Sequence, residues 1–305
     1  MSDVCNGNHD IKEWFHGALL EHEPLSRHTS LKVGGPADFF VLPSDADELI
    51  RLLRWAADRG LPFLVIGGGY NLLVRDGGFR GVVILLERFD MMELLPAGRV
   101  RVGAGVDNQR LVKFFGGSGL AGLEFLCGIP GTVGGALAMN AGCRGHEIMD
   151  CVESLSIVNA SGVREQGTAE QVYGYRFLQI EEGSVIAGAT FQLQADDPAE
   201  IAGRVREYLA QRRTSQQVGY PNAGSFFKNP PGHQAWQLID AAGMRGVRVG
   251  DAQVSEVHCN FLVNRGSASA RDFLELAGNV KERVRENSGI SLEEEVRIVG
   301  EDAQP

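Results

Sequence analysis

The chain has 305 residues and a formal net charge of -10, with 44% hydrophobic and 22% charged residues, the balance of a globular chain long enough for two or three real cores. The acidic excess argues against nucleic acid or an anionic membrane surface as the main partner, and no apolar run reaches the ~18 residues of a membrane span. Five cysteines without C-x-x-C spacing argue against a disulfide framework or a zinc site, and fit a reducing cytoplasm.

Residues 1 to 20 read as a loosely attached leader with a short helix near 11–20; the polar, acidic start is not a signal peptide. Gly34-Gly35-Pro36 marks a turn, and residues 39–42 a buried strand. Ser44 or Asp45 caps a helix whose inner face is Leu49, Leu52, Leu53 and Ala56, ended by Gly60. A strand over 62–66 runs straight into Gly67-Gly68-Gly69, and Asn71-Leu72-Leu73-Val74 continues as strand before the turn at Asp76-Gly77-Gly78. The triplet lacks the G-x-G-x-x-G spacing that opens a helix in dinucleotide folds, which speaks against a Rossmann dehydrogenase. Strands follow over 81–86 and 99–106. Asp107 caps a helix through Leu111, Val112 and Phe115, stopped by Gly116-Gly117.

Residues 128–145 form the densest glycine stretch. Without Cβ atoms, backbone N–H groups can lie flat against a ligand. Pro130 stiffens the entry. Such a loop suits a large flat ligand with a phosphate tail; a tight apolar turn between buried strands is the plainer alternative. Half-buried strands follow over 151–159 and 185–193. Pro198 opens a helix with Ile201, Val205 and Leu209 as its stripe. Residues 214–220 read as a linker at a domain boundary. Beyond it come a short helix near 236–242, a strand over 260–264, a long helix with a capping box at Ser269 and Asp272 closed by Gly289, and a strand over 290–300.

Nine stretches, in order, carry a family likeness: Thr29-Ser30; Gly34-Gly35-Pro36-Ala37-Asp38; Gly67-Gly68-Gly69; Asn71-Leu72-Leu73-Val74; Gly128-Ile129-Pro130-Gly131-Thr132-Val133-Gly134-Gly135; Met139-Asn140-Ala141-Gly142; Tyr175-Arg176; Ala223-Gly224-Ser225-Phe226-Phe227-Lys228-Asn229-Pro230; and Glu295-Val296-Arg297. From about residue 24 to 300 the chain resembles the UDP-N-acetylenolpyruvoylglucosamine reductase family. The short interval between Arg176 and Ser225 resembles that family's shorter form, which lacks an inserted tyrosine loop.

The resemblance implies an α+β chain: an FAD-binding fold of the vanillyl-alcohol-oxidase type, made of two α/β subdomains, plus a separate α/β substrate domain. It places a leader at 1–20, the first flavin subdomain at 21–86, the second at 87–205 and 291–305, and the substrate-binding domain at 206–290. It implies hydride transfer from NADPH to FAD, then to the enolpyruvyl group of a UDP-linked sugar, in peptidoglycan synthesis. The chain is expected to act as a cytoplasmic monomer without nucleic acid, metal or membrane insertion. Arg176, Ser225 and Glu295 match the catalytic positions: Arg176 to hold a carboxylate, Ser225 to give a proton to C2, Glu295 to donate a hydrogen bond to an enolate-like oxygen, and so to be protonated in the complex. FAD contacts are expected from Gly67, Gly68, Gly69, Asn71, Leu72, Gly128, Ile129, Pro130, Gly131, Thr132, Gly134, Gly135, Asn140, Ala141, Gly142 and Ile186. Substrate contacts are expected from Tyr175, Lys228, Asn229 and Asn260, with Lys228 a candidate cation beside Ser225.

Tyr70, His28, Phe177-Leu178 and Cys143-Arg144 depart from the family pattern. Two other classes compete: a flavin oxidase of the same fold, with His146 the nearest candidate for tethering FAD, and a nucleotide-binding regulator that has lost turnover.

Overall fold

The computed structural model describes residues 7–216 and 218–304; residues 1–6 of the expected leader lie outside them. The chain divides into two compact units. One holds the segments ending at residue 21 and spanning Phe39–Gly67 and Gly81–Ala210; the other holds His22–Asp38, Gly68–Arg80 and the chain from Gln211 onward.

The first unit contains a five-stranded antiparallel sheet in the order Gly162–Gly167, Val152–Asn159, Val185–Gln192, Arg99–Gly103, Met92–Leu94. Seven of eight residues of Val185–Gln192 are buried, as a central strand covered on both faces requires. Strand Phe63–Ile66 pairs in parallel with Val82 to Leu85. Helix Ala46–Asp58 starts where expected: the Asp45 carboxylate accepts from the Glu48 N–H at 2.8 Å. It buries Leu49, Leu52, Leu53, Trp55 and Ala56, each large apolar side chain contributing about 1.5–3 kcal/mol of transfer free energy.

Within the expected leader, residues 11–20 are not loosely attached. The helix is Gly7–Trp14, earlier than expected, and a strand begins at Ala18. Ile11 is fully buried and Phe15 nearly so, in one core cluster with Leu49, Leu52 and Trp55. Glu48 ties the segment down. Its buried carboxylate accepts from the backbone N–H groups of Ser44 (2.7 Å), Gly17 (3.1 Å) and His16. Several N–H donors offset the cost of taking a charge out of water.

The second unit packs helix Ala270–Ser288 over the antiparallel strands Arg248–Val249, Ala252–Val254 and Leu262–Asn264. The capping box at Ser269 forms as expected, and Gly289 closes the helix at φ 73°. Asp76 adds a cap from far along the chain, accepting from the Ala270 and Arg271 N–H groups at 2.8 and 2.9 Å. The last strand is only Arg297–Val299, and it pairs in parallel with Leu72–Val74. Residues 293–295 make a different pairing, described below. No helix among the described residues is long and apolar enough to cross a membrane.

Candidate active site

In the first unit, the two glycine turns meet at one point. Gly67 follows strand Phe63–Ile66, and a Cβ there would stand 2.4 Å from the Thr132 hydroxyl oxygen. Only glycine allows that approach. Gly131, at φ 115°, turns the chain into helix Val133–Ala138. Gly128, Ile129, Pro130, Gly131 and Thr132 are all half-buried, and Gly135 is exposed. These residues, with Gly67, form a bare-backbone edge that a flat ligand can approach.

Several expected cofactor contacts have other employment. The Gly134 N–H donates to the Ala104 carbonyl at 2.8 Å, and a Cβ at 134 would press on Ala104. Gly142 is buried, and a Cβ there would lie 2.3 Å from the His146 carbonyl oxygen. Ala141 and Ile186 lie in the apolar core. In the second unit Gly69 is buried at φ 66° against the His28 carbonyl, and Leu72 is buried in the strand beside Arg297. These are packing requirements, which in a sequence look the same as ligand contacts.

Asn140 shows the most extensive engagement within the protein. It is fully buried, and its amide is used on three sides: Nδ2 donates to the Glu147 carboxylate (2.6 Å) and the Gly174 carbonyl (3.0 Å), and Oδ1 accepts from the Met149 N–H (3.3 Å). It therefore anchors the hairpin that carries Arg176. In that hairpin Gly174 pairs with Phe177, leaving Tyr175-Arg176 as a two-residue loop. Arg176 sits at φ 57°, a left-handed conformation usually given to glycine or asparagine in such turns. Strain of this kind persists where surroundings over-determine it, and it clusters at functional sites. The Arg176 guanidinium donates to the Gly142 carbonyl at 3.0 Å and lies 5.0 Å from the centre of the exposed Tyr175 ring. His146, the candidate tether, is exposed and stacks on Phe125 at 6.0 Å.

In the second unit, the structure brings Ser225 and Glu295 onto adjoining segments. The Asn222 side chain accepts from the Gly224 N–H at 2.9 Å, and Gly224 turns the chain at φ 74°. Ser225 follows, half-buried, ahead of two fully buried rings, Phe226 and Phe227, packed edge-on at 5.2 Å. The buried pair fixes the segment that presents the serine. The Phe226 carbonyl accepts from the Glu295 N–H at 2.8 Å, Phe227 bridges Glu294, and the Lys228 N–H donates to the Glu293 carbonyl at 2.9 Å. Asn71 holds the other side, its Nδ2 donating to the Glu295 carbonyl at 3.0 Å.

Glu294 takes both Lys281 contacts, at 2.9 and 3.1 Å, and exposed Glu293 lies 3.6 Å from Lys228. Lys228 is thus already paired with a carboxylate. Exposed Asn229 accepts from the Ala235 N–H at 2.9 Å, at the start of the next helix.

Asn260 is buried, and its side chain is engaged within the protein. Its Nδ2 donates to the Phe227 carbonyl at 2.8 Å, its Oδ1 accepts from the Phe227 N–H at 3.0 Å, and its own carbonyl accepts from Phe226 at 2.7 Å. The expected substrate contact becomes a clamp on the serine loop. His258 supports it: its Nδ1 accepts from the Asn260 N–H at 3.3 Å, and burial pushes the imidazole below its ordinary pKa. Asn260→Ala leaves both polar groups of buried Phe227 unpaired. At about 1–3 kcal/mol for each of the two groups, we expect a loss of roughly 2–6 kcal/mol, read as a lowered denaturant midpoint.

Sequence reasoning missed Asn108, Asp76 and Glu48. The first borders the central loop: its Nδ2 donates to the Ile129 carbonyl at 3.1 Å.

Bare glycine turns beside a strained arginine hairpin suit a large planar cofactor, and residues 37–166 match the family described as an FAD binding domain. Residues 216–299 match UDP-N-acetylenolpyruvoylglucosamine reductase, C-terminal domain. The chain is an FAD-dependent oxidoreductase. Over 292 residues it is 59% identical to UDP-N-acetylenolpyruvoylglucosamine reductase of Geobacter metallireducens, covering 96% of this chain and 97% of that one. The Geotalea uraniireducens protein of the same name is 58% identical over 286 residues, with 94% and 95% covered. The crystal structure of UDP-N-acetylenolpyruvylglucosamine reductase from Thermus caldophilus aligns with TM-score 0.81 at 37% identity, covering 92% of this chain and 99% of that chain. The chain belongs to the UDP-N-acetylenolpyruvoylglucosamine reductase family. Its α+β architecture agrees with that membership. The residues also fit FAD: Gly67, Gly128 and Gly131 are only half-buried and Gly135 is exposed, so both turns leave side-chain-free backbone open to a flat ligand.

Proposed function

We propose that the chain reduces the enolpyruvyl ether of UDP-N-acetylglucosamine to UDP-N-acetylmuramate with NADPH, in peptidoglycan synthesis. The observation that carries this reading is the joining of the Ser225 and Glu295 segments through Phe226. The named relatives, alike over nearly their full length, support the substrate class. When bound, FAD supplies the hydride relay between the nicotinamide and carbon C3 of the enolpyruvyl group.

Gly67, Gly128, Ile129, Pro130, Gly131, Thr132 and Gly135 hold the cofactor by main-chain approach. Arg176 takes the substrate carboxylate in a bidentate fork and stabilises the negative charge that spreads into it from C2. Glu295, as a neutral carboxyl group, donates a hydrogen bond to the same enolate-like oxygen. Ser225 Oγ gives its proton to C2, closing the reduction. Tyr175, Lys228 and Asn229 contact the substrate. Asn71 and Asn260 act one step back, on the backbone beside Glu295 and Ser225.

In this reading the flavin subdomains are 21–86 and 87–205 with 291–305, and 206–290 binds the UDP sugar. The enzyme works as a cytoplasmic monomer; the odd cysteine count without paired spacing supports a reducing compartment. The test is product mass. Incubation with NADPH and the enolpyruvyl substrate yields a UDP sugar heavier by two hydrogens; recovery of unchanged substrate from FAD-loaded protein refutes the assignment.

A further inference from the structure

Residues 104–108 line the central glycine loop within the first unit. The Gly134 N–H donates to the Ala104 carbonyl and the Val133 N–H to the Val106 carbonyl, both at 2.8 Å, and Asp107 bridges Thr132. At the end of this run, Asn108 takes the carbonyls on both sides of Pro130. Its backbone N–H donates to Gly131 at 3.0 Å, and its Nδ2 to Ile129 at 3.1 Å. Any residue could make the first bond; only the side chain makes the second.

Asn108 is 1% exposed, and its Oδ1 is buried without a hydrogen-bond partner. Turning the amide over would set Oδ1 against the Ile129 carbonyl, acceptor against acceptor. A buried orphan acceptor is costly, and an apolar residue of similar size would avoid it. The same swap would leave the Ile129 carbonyl unpaired, so the two costs offset and stability alone does not select asparagine here. What the side chain provides is a fixed carbonyl immediately before Pro130, at a loop whose proline supplies no N–H of its own.

We propose that Asn108 is a positioning residue that fixes residues 128–132 in the conformation that binds the flavin cofactor. The inference rests on reading that loop as the FAD cradle. Oδ1 is closed off from solvent, so Asn108 acts through the loop and does not touch the cofactor.

The test compares Asn108→Leu with Val112→Ala, a core truncation in the same helix. FAD is stripped from the full chain, and both FAD affinity and the melting temperature of the apo-protein are measured. Asn108→Leu is expected to lose FAD affinity by roughly tenfold or more, about one hydrogen bond's worth, with a melting temperature near wild type. Val112→Ala is expected to melt lower and bind FAD as wild type does. If Asn108→Leu does not fold, Asn108→Ser removes the same Nδ2 donor with less bulk and is read in the same way. Wild-type FAD affinity in the folded variant overturns the proposal, as does FAD loss that follows melting temperature in both variants. A wild-type chain that takes up no FAD overturns the cradle reading itself, and this proposal with it.

Discussion

Ser225→Ala is expected to stop product formation while leaving the flavin in place and reducible. Positioned proton transfer contributes typically 10²–10⁴-fold, so reoxidation of the reduced flavin by substrate should slow by roughly that factor. The fold should survive. Ser225 is half-buried between Gly224 and the two buried phenylalanines, and the hydrogen bonds that hold the loop run through Phe226 and Phe227 and not through the serine. Reduction by NADPH should be unchanged, because the serine acts on the substrate's C2. Ser225→Cys, which restores an acidic proton at that position, should recover part of the rate. Rapid mixing of pre-reduced enzyme with substrate reads the step directly. An alanine variant that reoxidises at the wild-type rate removes Ser225 as the proton donor.

The second large effect is expected at Arg176. Removing one donor aimed at developing negative charge costs about 10²–10³ in kcat. Arg176→Gln should fall in that range. Arg176→Lys should recover little, although it keeps the charge. The guanidinium donates to the Gly142 carbonyl and lies 5.0 Å from the centre of the Tyr175 ring, and a lysine ammonium reproduces neither the fork nor the same approach to the ring. The loss should again appear in flavin reoxidation and not in flavin reduction. A lysine variant with near wild-type turnover would show that only charge matters at this position.

Local chemistry was the most legible part of this chain. Asp45, Asp107, Ser269 and Gly289 cap their helices as their residue types and positions indicate. The strand over 185–193 and the Gly67 turn could also be read directly, because strand patterning and the absence of Cβ are properties of neighbouring residues, although that strand is buried on both faces and not half-buried as expected. Long-range satisfaction was not legible. Asn140, in the glycine-rich loop, and Asn260, through the family likeness, look like ligand contacts. The structure closes each onto distant backbone: Asn140 on Gly174, Asn260 on Phe227. A buried amide must be paired somewhere, but sequence alone does not say where.

The leader misread for a related reason. Ile11 and Phe15 belong to a core whose other members start at Phe39, and no local pattern reports that. The strand expected over 290–300 splits because residues 293–295 pair with the serine segment, while only Arg297–Val299 joins Leu72–Val74. Family likeness alone singles out Glu295 over its two neighbours; in the structure Glu293 and Glu294 each face a lysine, and the Glu295 backbone is held by Phe226 and Asn71.

The central claim is that one chain carries both half-reactions, and an anaerobic flavin titration tests it most directly. The protein is loaded with FAD, bleached with NADPH without oxygen, and then given the UDP-linked enolpyruvyl sugar. The account predicts that the yellow oxidised spectrum returns in proportion to the substrate added. A flavin that stays bleached until oxygen is admitted would contradict the account, and would move the oxidase reading of the same fold ahead of it.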